Sequence, residues 1–167
     1  MPIAKAYTLV FLIDPATERV LFLHRTADRA DMPGYLNGLG GKFQPGEDPA
    51  TAAAREVWEE AGVQALDMRF RGTEAWISVK DDGTEHDRGT LFLCTASRWE
   101  GICRDKCAEG TLHWHTLPEA IAHPALAPNL GRILTAVVDQ PDAFYAGVAR
   151  YGGADGYRLI DHGYMVW

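Results

Sequence analysis

Glu56, Glu59 and Glu60 stand at i, i+3 and i+4 within the stretch 41–63, GKFQPGEDPATAAAREVWEEAGV. In a helix, residues at that spacing share one face. Carboxylates crowded together repel, and an ionised cluster is costly without a cation. Mg2+ takes hard oxygen ligands in octahedral geometry, commonly one or two carboxylates with phosphate oxygens and water, so the pattern predicts metal-assisted phosphate chemistry. Arg55 lies four residues before Glu59, where a charge-assisted bond would hold a carboxylate in a set orientation. An isolated run of acids is more often a solvated helix face. The glycines ahead of this one, and the arginine in step with it, tip the balance toward a site.

Those side chains need a helix and a loop to place them. Glu47, Asp48 and Pro49 precede an alanine-rich run, and acids and proline belong at a helix start. The helix is expected to reach about Ala61 and to end at Gly62. The loop before it, Asn37 to Lys42, reads Asn-Gly-Leu-Gly-Gly-Lys. Its glycines let the backbone come close to a ligand or metal. Lys42 can meet a phosphate as a point charge.

The segment reduces to G-x5-E-x7-R-E-U-x-E-E-x-G-U, with U aliphatic, and every defined position is filled. It resembles the Nudix box, the signature of Nudix hydrolases, most specifically over 36–63 and more weakly over 5–140. The resemblance implies an enzyme that cleaves a diphosphate bond linked to another group, usually with Mg2+; Mn2+ is the alternative cofactor. It implies metal binding by Glu56, Glu59, Glu60 and the carbonyl of Gly40, with Arg55, Glu59 and Glu60 in the catalytic set. It leaves open which glutamate is the general base. The implied fold is the Nudix α-β-α sandwich around a mixed sheet, an α/β (α+β) fold, with the box as a loop-helix-loop against the sheet edge.

The subgroup it looks most like is MutT-like, acting on oxidised purine nucleoside triphosphates such as 8-oxo-dGTP. Asn37 sits where a mammalian enzyme of that kind (Asn-Gly-Phe-Gly-Gly-Lys) hydrogen-bonds the purine edge, and an amide offers a donor and an acceptor side by side. Arg25 stands where MutT-like enzymes often keep a basic residue for the substrate phosphates; a solvated arginine is the plainer reading. Glu109 is near the point where the family often supplies a further carboxylate, as a metal ligand or as a base for water. Asn129, after Pro128, reads either as a helix N-cap or as the asparagine that reads the base in bacterial MutT-like proteins. Trp76 and Phe92 are able to stack on a base, although strand aromatics usually belong to a core.

Other substrates stay open: ADP-ribose, dinucleoside polyphosphates and coenzyme A. The proline that marks ADP-ribose enzymes is Ser78 here, the dinucleoside tyrosine is missing there too, and the coenzyme A pattern is met only by Arg25, Arg29 and Gly34. A different class, a ligand sensor without turnover, usually loses box acids that this chain keeps.

The chain has 167 residues, expected to form one domain, with the box at 41–63 and a C-terminal hairpin extension at about 143–167. A net charge of −7 argues against a nucleic-acid polymer or a membrane surface as partner, but not against a small nucleotide whose charge a metal offsets. Nothing in it indicates a homo-oligomer. No apolar run is long enough for a bilayer. Three cysteines, an odd number without framework spacing, point to a reducing cytoplasm. Cys103, Cys107, His113 and His115 fit no zinc-finger spacing well.

Strands are expected at 7–13 and 19–23, joined by Asp14-Pro15, and at 68–80 and 90–97, joined by Asp81-Asp82-Gly83. A loop is expected at 26–35, a short strand at 112–116, a helical turn at 117–122 and an amphipathic helix at 129–139.

Overall fold

The computed structural model describes residues 4–167. The chain opens with an antiparallel pair, β1 (Lys5–Asp14) and β2 (Arg19–Arg25), closed by a turn in which Asp14 Oδ1 accepts from the Ala16 amide. There follow β3 (Leu36–Asn37), α1 (Pro49–Ala61), β4 (Gln64–Ala65), β5 (Arg69–Val79) and β6 (Glu85–Ala96). Next come β7 (Trp99–Glu100), β8 (Lys106–Cys107), β9 (Gly110–Thr116), α2 (Leu117–Ile121) and α3 (Leu130–Val137). A hairpin of β10 (Tyr145–Gly152) and β11 (Arg158–Val166) ends the chain.

The main sheet runs β11-β10-β5-β6-β1-β2-β9-β8, with β3 on β2, while β4 and β7 form a separate small pair. The sheet is mixed. β1 pairs with β6, and β10 with β5, in parallel; the other named pairs are antiparallel. The segment YTLVFLI in β1 is apolar almost throughout because both of its faces are covered. Leu9 and Phe11, with Val20 and Phe22, meet Leu130, Ile133, Leu134 and Val137 of α3. Val10 and Leu12, with Leu21 and Leu23, meet Ala53, Val57 and Ala61 of α1. The alternation across one strand therefore builds two cores, one on each side of the sheet.

α1 begins and ends as the sequence requires. Asp48 Oδ1 accepts from the amides of Ala50 and Thr51, at 2.8 and 3.0 Å. Gly62 closes the helix with φ 74° and donates its amide to the Trp58 carbonyl. Against expectation, α1 lies over the face of β1 and β2 rather than at the sheet edge. Its buried side is mostly alanine and valine, small enough to approach that surface closely.

The remaining differences are of extent. β6 starts at Glu85, five residues earlier than expected, because its polar opening residues still pair with β5. β3, β4, β7 and β8 are two residues each, too short to carry a period-two pattern. Asp48→Ala should lower the urea unfolding midpoint at neutral pH with the slope unchanged, as loss of an N-cap does.

Candidate active site

β2 pairs with β1 only from Leu12 onward, so the earlier part of that edge of β1 is free. The loop before α1 takes it. Thr8 N donates to Gly41 O at 2.9 Å, Val10 N to Leu39 O at 2.7 Å, and Leu39 N to Val10 O at 3.0 Å. The fit allows no side chain at the two paired glycines. A Cβ on Gly40, whose φ is 135°, would lie 2.1 Å from Thr8 O, and one on Gly41 would lie 2.5 Å from Glu56 Oε1. The loop therefore passes between β1 and the acidic face of α1.

That passage buries two of the three box carboxyls. Glu60 is 4% exposed and accepts from the Gly40 amide at 2.9 Å. Burial pushes its carboxyl up to about 8, the Gly40 amide opposes the rise, and the charges of Glu56 and Glu109 add to it. Glu56 is 9% exposed and is also raised by burial, against the pull of Arg55. Glu59 is the open member, its side chain half exposed.

Arg55 ties the acids together. Its Nε and Nη2 donate to the two oxygens of Glu47 at 2.7 and 2.9 Å, a bidentate pair. Nη1 donates to Glu56 at 2.7 Å and reaches Glu59 at 3.4 Å, and Nη2 also meets the Lys42 carbonyl. The Arg55 guanidinium holds the Glu47 carboxyl down at about 2.

A second cluster faces the first. Glu109, in the turn between β8 and β9, accepts from Arg25 Nη1 at 2.7 Å and from Arg29 Nη2 at 2.9 Å. Arg29 Nε is buried and has no partner among the described residues. Both clusters line one cavity of about 760 Å³. The sheet residues Tyr7, Trp76 and Leu91 line it too, as do Pro128, Leu130, Tyr151 and Tyr157.

Of the residues singled out in the sequence, Arg25, Asn37, Gly40, Lys42, Arg55, Glu56, Glu59 and Glu109 all line this cavity. Glu60 lies behind them, buried under the loop. Asn37 Oδ1 accepts from the Gly38 amide, which leaves its NH2 group as donor. The Lys42 ammonium sits 5.9 Å above the Tyr7 ring. Asn129 is not among the cavity-lining residues. It occupies the N-cap position of α3 without a side-chain capping bond, in the left-handed region at φ 70°. Its amide donates instead to Glu74 Oε2, and its Oδ1 accepts from Arg132. Trp76 lines the cavity, whereas Phe92 packs on Phe43 and Phe70. Cys103 and Cys107 pack in the core under α1, and His113 and His115 point from β9 to the other face, so those four residues do not meet.

Sequence reasoning did not single out Glu74, Tyr151 or Tyr157. Glu74 shares a face of β5 with Trp76 and Ser78, and this polar period-two pattern was the available signal. Fully buried, Glu74 also accepts from Tyr145 at 2.8 Å. The tyrosines belong to the terminal hairpin, whose pairing with β5 no local pattern announces.

The box carboxylates that line the cavity fit a hard divalent cation. Among the described residues no three metal-ligating side chains already close a cage. Mg2+ needs none, because one or two carboxylates with phosphate and water suffice. Glu56 and Glu59 face the cavity, and a cation there would offset the cost of ionising the raised carboxyls.

A mixed sheet between helices, with a glycine loop feeding a glutamate-bearing helix, defines a phosphate-chemistry domain of the kind the sequence resembles. The chain belongs to that family: the NUDIX domain matches residues 4–137. It is 30% identical over 101 residues to the uncharacterized Nudix hydrolase YvcI of Bacillus subtilis (strain 168), a match covering 60% of this chain and 63% of the relative. A shorter match, 36% over 58 residues, links 35% of this chain to 21% of the NAD-capped RNA hydrolase NudC of Chromobacterium violaceum. The chain thus spans less than two thirds of the curated relatives it matches. In fold it is similar to the MutT protein of Bacillus halodurans, with TM-score 0.83, 24% identity, 96% of this chain and 97% of that one. The MutT protein of Methanosarcina mazei Go1 follows with TM-score 0.66, 18% identity, and 84% and 96% coverage.

The raised Glu60 carboxyl fixes the sign of a pH effect. In the metal-free fold it holds its proton to about 8, whereas an unfolded glutamate releases it near 4.5. Its contribution is full below about pH 4.5 and is lost as pH rises through about 8. In EDTA, Tm should therefore fall across that window, and Glu60→Gln should flatten the fall. Added Mg2+ should raise Tm more at about pH 9 than at about pH 5.

Proposed function

We propose that this chain is a divalent-metal-dependent pyrophosphohydrolase of nucleoside triphosphates, preferring an oxidised purine dNTP such as 8-oxo-dGTP. The observation that carries the reading is the mixed lining of one cavity. It brings box glutamates and two arginines together with Tyr7, Trp76, Tyr151 and Tyr157. A polyphosphate tail suits the charged residues and a planar base the aromatic ones.

Water adds at a phosphorus of the triphosphate, the anhydride P–O bond breaks, and the products are the monophosphate and pyrophosphate. Glu56 and Glu59 would hold Mg2+, with the Gly40 carbonyl beside them. When bound, the cation supplies neutralisation of phosphate charge and activation of water. Arg55 keeps Glu56 and Glu59 aimed, and the Gly40 amide fixes Glu60. Arg25 and Arg29 would take the phosphates, with Glu109 orienting both. Glu59, the most open box acid, is best placed to receive the water's proton. Asn37 would offer its NH2 to the base edge. Positioning and electrostatics then supply most of the rate.

The test is Mg2+-dependent pyrophosphate release from 8-oxo-dGTP, 2-oxo-dATP and the four ordinary dNTPs, with ADP-ribose and a dinucleoside tetraphosphate alongside, ranked by kcat/KM. Mn2+ replaces Mg2+ in a parallel series. An oxidised purine triphosphate should rank first. Faster cleavage of ADP-ribose or the dinucleotide would discard the base reading and keep the metal site. No turnover of any of them would favour a ligand sensor. Glu59→Gln should lower kcat by about a hundredfold or more with KM little changed.

A further inference from the structure

The match to the NUDIX domain ends at residue 137, yet part of the cavity wall comes from beyond it. β10 adds to β5 in parallel, β11 folds back on β10, and the turn between them reaches the loop that follows β2. Tyr157 makes the contact. Its hydroxyl donates to Asp31 Oδ1 at 3.0 Å and accepts from the Met32 amide at 2.9 Å. Its ring meets Tyr35 edge-on, with centroids 5.9 Å apart.

The loop so held is the one that fixes Arg25. The Asp31 carbonyl accepts from Arg25 Nε at 2.9 Å, and Glu109 accepts from Nη1 at 2.7 Å. With two of its nitrogens engaged, the guanidinium has a set plane, and Nη2 has no protein partner among the described residues. The Arg25 side chain is only 12% exposed, so it has little room for another pose. The contacts form one chain: hairpin turn, Tyr157, Asp31, Arg25.

We propose that Tyr157 is a positioning residue for Arg25, and that the C-terminal hairpin thereby sets the affinity of the phosphate end of the cavity. The hairpin is then a working part of the substrate site as well as an extension of the sheet. The inference rests on the proposed function only in taking Arg25 as a phosphate ligand. Its chemistry is that of a polyphosphate tail, whatever base is attached.

The experiment uses the full chain with Tyr157→Phe, which keeps the ring and its packing on Tyr35 and removes both hydroxyl bonds. Three readouts are taken: amide hydrogen exchange over 26–35, calorimetric affinity for inorganic pyrophosphate with Mg2+, and steady-state cleavage of 8-oxo-dGTP. Exchange at the Met32 amide should rise. Pyrophosphate affinity should weaken about tenfold, the scale of one or two lost hydrogen bonds. KM should rise by a similar factor, with kcat within about twofold. In an Arg25→Ala background, Tyr157→Phe should change affinity by less than about twofold, because the two act as one unit.

Asp31→Ala, at an exposed side chain, should repeat the effect in weaker form. Multiplying effects of Tyr157→Phe and Arg25→Ala would overturn the proposal. So would a rise in exchange without any loss of pyrophosphate affinity, which would leave Tyr157 merely structural. Wild-type protein that binds pyrophosphate but cleaves no nucleotide would overturn the proposed function alone, since the binding and exchange readouts still decide the role of Tyr157.

Discussion

Two carboxyls that should repel and stay wet are held together out of water, and the rest of the near site follows from that. Glu56 and Glu60 lose solvent because α1 lies on the sheet and the loop at 38–42 hydrogen-bonds along the free edge of β1. Only glycine backbone fits between β1 and Glu56, so the paired glycines are a steric requirement of the buried acids. The cost of burial is met locally. Arg55 answers Glu56, the Gly40 amide answers Glu60, and protonation at Glu60 removes what is left when no cation is present.

A second buried carboxyl in the same cavity, on β5, is answered by side-chain donors instead. Glu74 is completely buried, and burial raises its carboxyl, but Tyr145, Asn129 and Tyr151 all donate to it. Those donors come from β10 and from the start of α3, so one carboxyl joins the hairpin to the last helix. This explains why Asn129 leaves its capping position unbonded: a buried acid is a stronger claimant than a helix-start amide.

The sequence was most legible where local chemistry and local structure coincide. The spacing of Glu56, Glu59 and Glu60, the cap at Asp48 and the stop at Gly62 all depend on neighbours within a few residues, and each stands where it was expected. Arg25 and Glu109 were legible as residues but not as a pair, since a strand end and a turn 84 residues apart meet only through the register of β2 on β9. Strands of two residues left no period to read. The family resemblance implied α1 at a sheet edge it does not occupy, and the apolar run in β1, which does not say which face meets which helix, gave nothing to correct it. Tyr151 and Tyr157 carried no signal, because a tyrosine in a hairpin reads the same whether its sheet is isolated or joined to a cavity floor.

Under the proposed function, the acids and arginines of the site come from one length of chain, before residue 110: the box, the loop ahead of it, and the arginine pair on Glu109. The aromatic lining of the cavity is shared between the central strands and elements after residue 126, including a hairpin beyond the matched domain. Variation in the hairpin can reshape the aromatic lining while the buried glutamates stay fixed, because the two are linked through the sheet and through Tyr157 alone of the turn's side chains that reach the 26–35 loop by hydrogen bonds among the described residues. If the proposed function holds, such an arrangement would let one acidic helix serve different substrates, and it places the search for this chain's selectivity in β5, α3 and the hairpin rather than in the box that identifies it.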